Sequence, residues 1–293
     1  LNKKEINIMT QENNSTFNIQ HSTLDLAPIV LFVYNRPDHT RQTVEALQKN
    51  ELAIDSELFI YSDAAKNENA EQKVNEVREY IKSIDGFKKI TIIEREKNWG
   101  LANSIIDGVT KIVNEYGKII VLEDDLVTSP YFLKFMNGAL EIYKDEEKVY
   151  NITGYSFSDD ISLIDSTYFL SITSSWSWAT WEHKWQDFKR DKQALQKYID
   201  NKSNRNVFNF NNSYDYVSMA KKQLEGKLDS WAIFWYFSVL QKQGLTLYPS
   251  KSLVHNIGFD GSGVHCGDNK VEKKLENIHY SFTKDILEKE INK

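Results

Sequence analysis

The sequence predicts an α/β fold, a mostly parallel sheet flanked by helices, joined to an aromatic half of less regular structure. Three observations carry this. Four short apolar runs recur at similar intervals with helical stretches between them. The first run is continuously apolar rather than alternating, as in a strand covered on both faces. Gly and Pro number only 12 and 4, too few for a linker-dominated chain.

In chain order, residues 1–26 are rich in Asn, Gln, Ser and Thr without a period and read as a polar tail or irregular edge. Residues 27–293 read as one domain, with a regularly alternating half over 27–130 and an aromatic half over 131–293. Pro28 to Tyr34 is the first strand. Asp38 can cap a helix over 39–49, where Val44 and Leu47 recur at helical spacing. Leu58 to Tyr61, Ile90 to Ile93 and Ile119 to Leu122 are the next three strands, separated by helices around 70–84 and 101–116. Right-handed crossovers would join the four into a parallel sheet, and such sheets bind ligands at the carboxyl ends of their strands. Those ends are all polar: Asn35-Arg36, Ser62-Asp63, Asn98-Trp99-Gly100 and Glu123-Asp124-Asp125. Beyond residue 150 the alternation weakens and Trp176, Trp178, Trp181, Trp185, Trp231, Trp235 and Tyr236 accumulate. Helices are expected at 130–143, 190–200, 213–225, 230–242 and 281–291, and short strands near 149–153, 168–172 and 245–248.

Composition narrows the function. With 36 basic against 42 acidic residues and no basic block, nucleic acid is not the expected partner, because phosphate-backbone binding needs clustered Lys and Arg. The one cysteine, Cys266, can form neither an internal disulfide nor a thiolate-rich zinc site, which fits a reducing cytoplasm. No apolar run approaches the ~20 residues that span a bilayer, and the amino end lacks a signal-peptide core. The expected location is cytoplasmic, with peripheral association at the inner face of the membrane left open. The six histidines are scattered, without HExxH, and His39 reads as structural.

Glu123-Asp124-Asp125 sits where an apolar strand stops. Adjacent carboxylates repel unless a cation or hydrogen-bond donors offset the charge, and a hard divalent ion does this while bridging to a diphosphate. The competing reading is capping of the following helix; the strand-end position favours the metal. Neither GxGxxG nor GxxxxGK[ST] follows the first strand, which removes the dehydrogenase and P-loop readings. Pyrophosphate charge is then left to metal and isolated cations, the choice made by enzymes that use nucleotide diphosphate sugars.

The run Pro28 to Arg36, the segment Asn98-Trp99-Gly100-Leu101-Ala102-Asn103 and Glu123-Asp124-Asp125 resemble the nucleotide-binding half of a GT-A (Rossmann-like) glycosyltransferase. The chain is more closely similar to the family of N-acetylglucosaminyltransferase I, whose metal motif is likewise Glu-Asp-Asp, and to bacterial relatives from surface-polysaccharide loci. The likeness continues through Ser175 to Trp181, Asp229-Ser230-Trp231 and Asn256 to Gly263, covering roughly residues 28–267. It makes residues 27–130 the nucleotide-sugar-binding half and 131–293 the acceptor-side half. It implies Mn2+ or Mg2+ on Asp125, with Asp124 and Glu123 on ribose and donor sugar. It also implies a donor pocket with Arg36, Asp63, Asn98, Gly100 and Asn103. The implied reaction is inverting transfer from a UDP-sugar to a glycan, lipid-linked or protein-linked acceptor. The chain departs from the eukaryotic family at His255, which replaces an Arg; His255 is then a phosphate contact or a metal ligand.

Several residues keep two readings. Asp229 is a helix N-cap, a general base for the acceptor hydroxyl, or both; Glu182 and Asp187 are rival bases on a segment of helical spacing. Trp176, Trp178 and Trp231 are core or sugar-stacking residues, and alternation would put Trp176 and Trp178 on one strand face. Gly258, Gly261 and Gly263 mark a surface loop or a lid over the ligand. The alternative functions are a non-catalytic sugar-binding protein, which would not need the acidic tripeptide, and a sugar nucleotidyltransferase, which would carry a glycine-rich basic loop.

Overall fold

The structure, a computed structural model, describes residues 25–157 and 167–260. The expected helix over 281–291, Cys266, and almost all of the polar tail lie outside the described residues. So does the carboxyl part of the glycine-bearing loop.

The first half forms as its pattern dictates. Strands β1 (Ile29–Val33), β2 (Glu57–Ser62), β3 (Lys89–Glu94) and β4 (Lys118–Glu123) are joined through helices α1 (Pro37–Gln48), α2 (Glu68–Ile81) and α3 (Leu101–Tyr116). All five residues of β1 are buried, the consequence of helices on both faces. Pro37 opens α1, where its missing N–H costs nothing, and Gly117 closes α3 in the left-handed conformation.

The second half is mixed. After β5 (Leu126–Thr128), which ends the first half, it contains α4 (Phe132–Ile142), β6 (Val149–Thr153), β7 (Thr167–Leu170), β8 (Trp178–Trp181) and α5 (Glu182–Trp185). Then follow α6 (Lys192–Asp200), α7 (Lys202–Phe208), α8 (Tyr216–Leu224), α9 (Trp231–Gln241), β9 (Leu245–Pro249) and β10 (Val254–Asn256). One eight-stranded sheet runs through both halves in the order β3-β2-β1-β4-β8-β6-β9-β7. The pairs β2/β3, β1/β2, β1/β4 and β6/β9 are parallel, whereas β8 and β7 run against their neighbours. The mostly parallel α/β fold expected from the repeat is the fold present.

The differences have local causes. β8 is only four residues long and follows Ser177, whose φ of 53° interrupts any extended run. β5 and β10 are three-residue strands that pair only with each other. α7 carries almost no apolar period, and its start is set by Asn201, whose side chain accepts from Ser203 and Asn204 N–H groups.

Candidate functional site

β1 pairs with β2 on one side and with β4 on the other, so the strand order reverses between β1 and β4. Chains leaving these two strands diverge, which opens a crevice at their carboxyl ends. Phe32 lies opposite Glu123 in the register, so Arg36, just past β1, reaches the acidic tripeptide just past β4. The Arg36 Nη2 atom pairs with Asp124 Oδ1, and Nη1 lies 3.0 Å from Asp125 Oδ2. From α1, Thr43 Oγ1 donates to the Asp124 carbonyl at 2.9 Å, bracing the tripeptide against that helix.

One guanidinium faces three carboxylates here, and the imbalance shows in their protonation. Burial, then Asp125 and Asp124, push the Glu123 carboxyl up to about 8, with Arg36 opposing. Burial also raises Asp124, against Arg36. Burial alone would lower Arg36, but Asp124 and Asp125 outweigh it and hold it well above its ordinary value. Among the described residues, no three His, Cys, Asp or Glu side chains form a ready metal cage. Hard oxygens in excess of one cation nevertheless fit a divalent ion that takes one or two carboxylates and completes its shell with phosphate and water.

A later segment closes on this motif. β10 pairs antiparallel with β5, setting His255 opposite Val127. The Ile257 N–H then donates to the Asp125 carbonyl at 2.9 Å. Gly258 is required at the next position: a Cβ there would collide with Asp125 Oδ2 and lie 3.1 Å from Arg36 Nη1. His39 of α1 contacts Asp260 at 3.2 Å between Nε2 and Oδ2, in keeping with a structural role. The described part of the expected lid is thus a paired strand and its extension.

Asp63, past β2, is committed to the protein. Its oxygens accept from Ala64 N at 2.9 Å, Gly100 N at 2.9 Å, Asn98 Nδ2 at 3.1 Å and Trp99 N at 2.9 and 3.1 Å. A carboxylate offers about four acceptor sites, so Asp63 holds the Asn98-Trp99-Gly100 turn rather than presenting a free acceptor. Gly100, at φ 73°, caps α3 in a backbone conformation that side chains resist. Arg95, which pattern reading passes over, is buried with its guanidinium 4.0 Å from the Trp99 ring centre and paired to Asp107. Asn103 Nδ2 donates to the Trp99 carbonyl at 2.9 Å, and its Oδ1 accepts from Arg190 at 3.0 Å. Arg190 also donates to Asp229 Oδ1 at 2.9 Å, so the first turn of α3 is linked to the start of α9. No local signal marks Arg190: its partners lie 87 and 39 positions away.

Asp229 is not the cap of α9. Ser230 is, accepting from Ile233 N–H, and Asp229 stays exposed. The rival Asp187 is engaged by Lys242 at 2.7 Å and Tyr150 at 2.9 Å.

The three candidate tryptophans separate. Trp178 and Trp231 are 1% and 3% exposed and stack on each other with centroids 5.0 Å apart. Neither has a face for a sugar, so the acceptor reading is corrected to core for both. The left-handed Ser177 breaks alternation, so Trp176 packs on the opposite core from Trp178. Trp176 is half-buried and meets Phe259, next to Gly258, with centroids 5.4 Å apart.

Residues 29–209, more than half of the chain, match the model of Glycosyl transferase family 2. The chain belongs to this family. No curated protein sequence matches it. Among solved structures, this family 2 member is similar to S. aureus TarS 1–349, at 11% identity and a TM-score of 0.46, over 79% of this chain and 60% of that one. It is also similar to the same TarS fragment in complex with UDP-GlcNAc, at 9% identity and a TM-score of 0.45, over 78% and 57%. A third similar structure is the mannosyltransferase PcManGT from Pyrobaculum calidifontis in complex with GDP-Man and Mn2+, at 11% identity and a TM-score of 0.43, over 75% and 78%. The chain thus spans about 60% of the TarS fragment's length. Among the described residues, no helix is long and apolar enough to cross a membrane.

Proposed function

We propose that this chain transfers a sugar from a nucleotide diphosphate sugar, a UDP-sugar by its resemblance to the N-acetylglucosaminyltransferase I family, to a hydroxyl of a glycan or glycoconjugate. Bacterial surface-polysaccharide or glycoprotein synthesis is the setting that resemblance suggests. The observation that carries the reading is the excess of carboxylates around Arg36 at the strand-order reversal, in a member of glycosyl transferase family 2. Mn2+ or Mg2+ on Asp125 would supply Lewis-acid stabilisation of the departing diphosphate.

The chain's own residues supply the rest. Arg36 keeps Asp124 and Asp125 oriented and offsets part of their charge. The Asn98-Trp99-Gly100 turn, fixed by Asp63, forms the side of the donor pocket with Asn103. His255 lies opposite Val127 in the β10–β5 pair that follows the tripeptide, and the resemblance assigns it to phosphate or metal. Asp229 is the general base: Oδ1 is held by Arg190, and Oδ2 takes the proton of the acceptor hydroxyl. The acceptor oxygen bonds to the anomeric carbon as the bond to phosphate breaks, and the electron pair leaves on the nucleoside diphosphate, inverting the centre.

The test is a panel of nucleotide sugars with and without Mn2+, read by thermal stabilisation and by donor hydrolysis. A ligand that binds only the native state raises its apparent stability. Metal-dependent stabilisation by at least one nucleoside diphosphate sugar is expected; stabilisation by none would reject the reading.

A further inference from the structure

An aromatic row leaves the acidic crevice and reaches the surface. Phe259 follows Gly258, the residue pressed against Asp125 and Arg36. Its ring meets Trp176, Trp176 meets Tyr155 at 4.5 Å between centroids, and Tyr155 meets Phe157 at 5.0 Å. Each contact is edge-to-face, with interplanar angles of 69°, 69° and 83°, so each covers one face of one ring only, where parallel stacking would cover a face of both. The row ends on Phe157, which is 50% exposed.

A second arm adds to it from α8. Tyr216 opens that helix and packs on Tyr214 at 4.6 Å; the Tyr214 side of the pair is 57% exposed. Both arms rest on one core: Phe157 packs on Tyr248 at 5.5 Å and Tyr216 on Tyr236 at 5.1 Å, and Tyr236 and Tyr248 belong to the same buried cluster. The backbone that presents Tyr214 is costly: Phe210, Asn211 and Asn212 all have positive φ, at 47°, 53° and 63°. Asn206 holds it, bonding Asn211 and Asn212 side chains at 3.3 and 2.7 Å. Consecutive left-handed residues other than glycine persist only where surrounding bonds over-determine them, and they concentrate at functional segments.

We propose that this row, from Phe259 through Trp176 and Tyr155 to Phe157 and Tyr214, is the subsite for an oligosaccharide acceptor, extending outward from the point of transfer. The proposal rests on the glycosyltransferase reading. Rings with apolar faces and phenolic edges match the C–H faces and hydroxyl rims of pyranoses, whereas a lipid chain would call for aliphatic walls. Continuity with Gly258 leads the non-reacting sugars away from the donor.

The experiment uses the full chain with labelled protein on an array of linear tetrasaccharides (chitin, mannan, β-glucan and galactan types), with UDP or GDP binding measured by calorimetry in Mn2+. The parent is expected to retain at least one tetrasaccharide. Phe157→Leu and Tyr214→Ala should each weaken that binding about tenfold, the scale of one lost ring contact, whereas Phe157→Tyr keeps it and nucleotide affinity stays within about twofold throughout. Unchanged retention by Phe157→Leu and Tyr214→Ala, with thermal midpoints as in the parent, overturns the proposal, as does a parent that retains none of the sugars. A parent that binds neither UDP nor GDP yet retains a tetrasaccharide through Phe157 sinks the transferase reading alone and leaves the aromatic subsite standing.

Discussion

The two ends of the central sheet handle the same problem, burying side chains around a crevice, in opposite ways. Around β1, β2 and β4 the strand interiors are apolar, and past their carboxyl ends Arg36, Asp63, Asp124 and Asp125 find partners from other elements. Around β8, β6 and β9 the rings of Trp178, Trp181, Tyr150 and Tyr248 share the buried strands with Asn151, Thr180 and Thr246, and which tryptophan meets Phe259 depends on a single left-handed residue, Ser177. The first arrangement makes position along the chain a guide to chemistry. The second does not, because neighbours in sequence such as Trp176 and Trp178 end in different cores.

The sharpest way to break this contrast is to truncate the aromatic side. Trp178→Ala removes a ring stacked on Trp231 and tilted against Trp185 and Trp235. It should cost about 3–5 kcal/mol in denaturant unfolding without altering nucleotide affinity in the fraction that folds. A stable Trp178→Ala protein that loses sugar binding would return Trp178 to the acceptor site.

Next in size are the carboxylates. Asp229→Asn keeps the shape but cannot accept a proton, so transfer should fall about 10²-fold or more while donor affinity barely changes. Near-parent turnover would pass the base role to Glu182 or Asp187. Asp125→Ala should weaken Mn2+-dependent UDP binding about 10²-fold with an intact fold by circular dichroism; parental affinity would take Asp125 out of the metal site.

Gly258→Ala probes the boundary between the regions. The added methyl group has to displace Asp125 or Arg36, and UDP affinity in Mn2+ should drop about tenfold, with a smaller change in melting temperature. An unaffected Kd would mean that the 256–260 segment moves aside when ligand binds.

The smallest effect concerns the Arg95–Asp107 pair beneath Trp99. Burial alone would raise the Asp107 carboxyl, but hydrogen bonds from Arg95 and Lys111 outweigh it and hold it below 3.8. Its stabilisation is therefore fully present above about pH 3.8 and lost as pH falls through the lower folded value. Asp107→Asn should lower stability at neutral pH by less than about 1 kcal/mol and make the acid limb of a pH–stability profile shallower. An identical acid limb in both proteins would show that the pair contributes nothing measurable.

Taken alone, the sequence determined the βα repeat, the parallel strands and the polar strand ends, because continuous apolar runs and helical spacing are local signals and parallel crossovers follow from chain handedness. It also marked Arg36 and the acidic tripeptide as a site, since like charges at a strand end need an external reason. Only the tertiary structure decided that Asp63 is consumed by the Asn98-Trp99-Gly100 turn, that Ser230 rather than Asp229 caps α9, and that Trp178 and Trp231 are core whereas Trp176 joins Phe259. The physical reason is reach. Capping and burial depend on partners from distant segments: Arg190 on Asp229, Gly258 on Asp125, Trp231 on Trp178. No periodicity within a dozen residues encodes which of two equally aromatic surfaces will be covered.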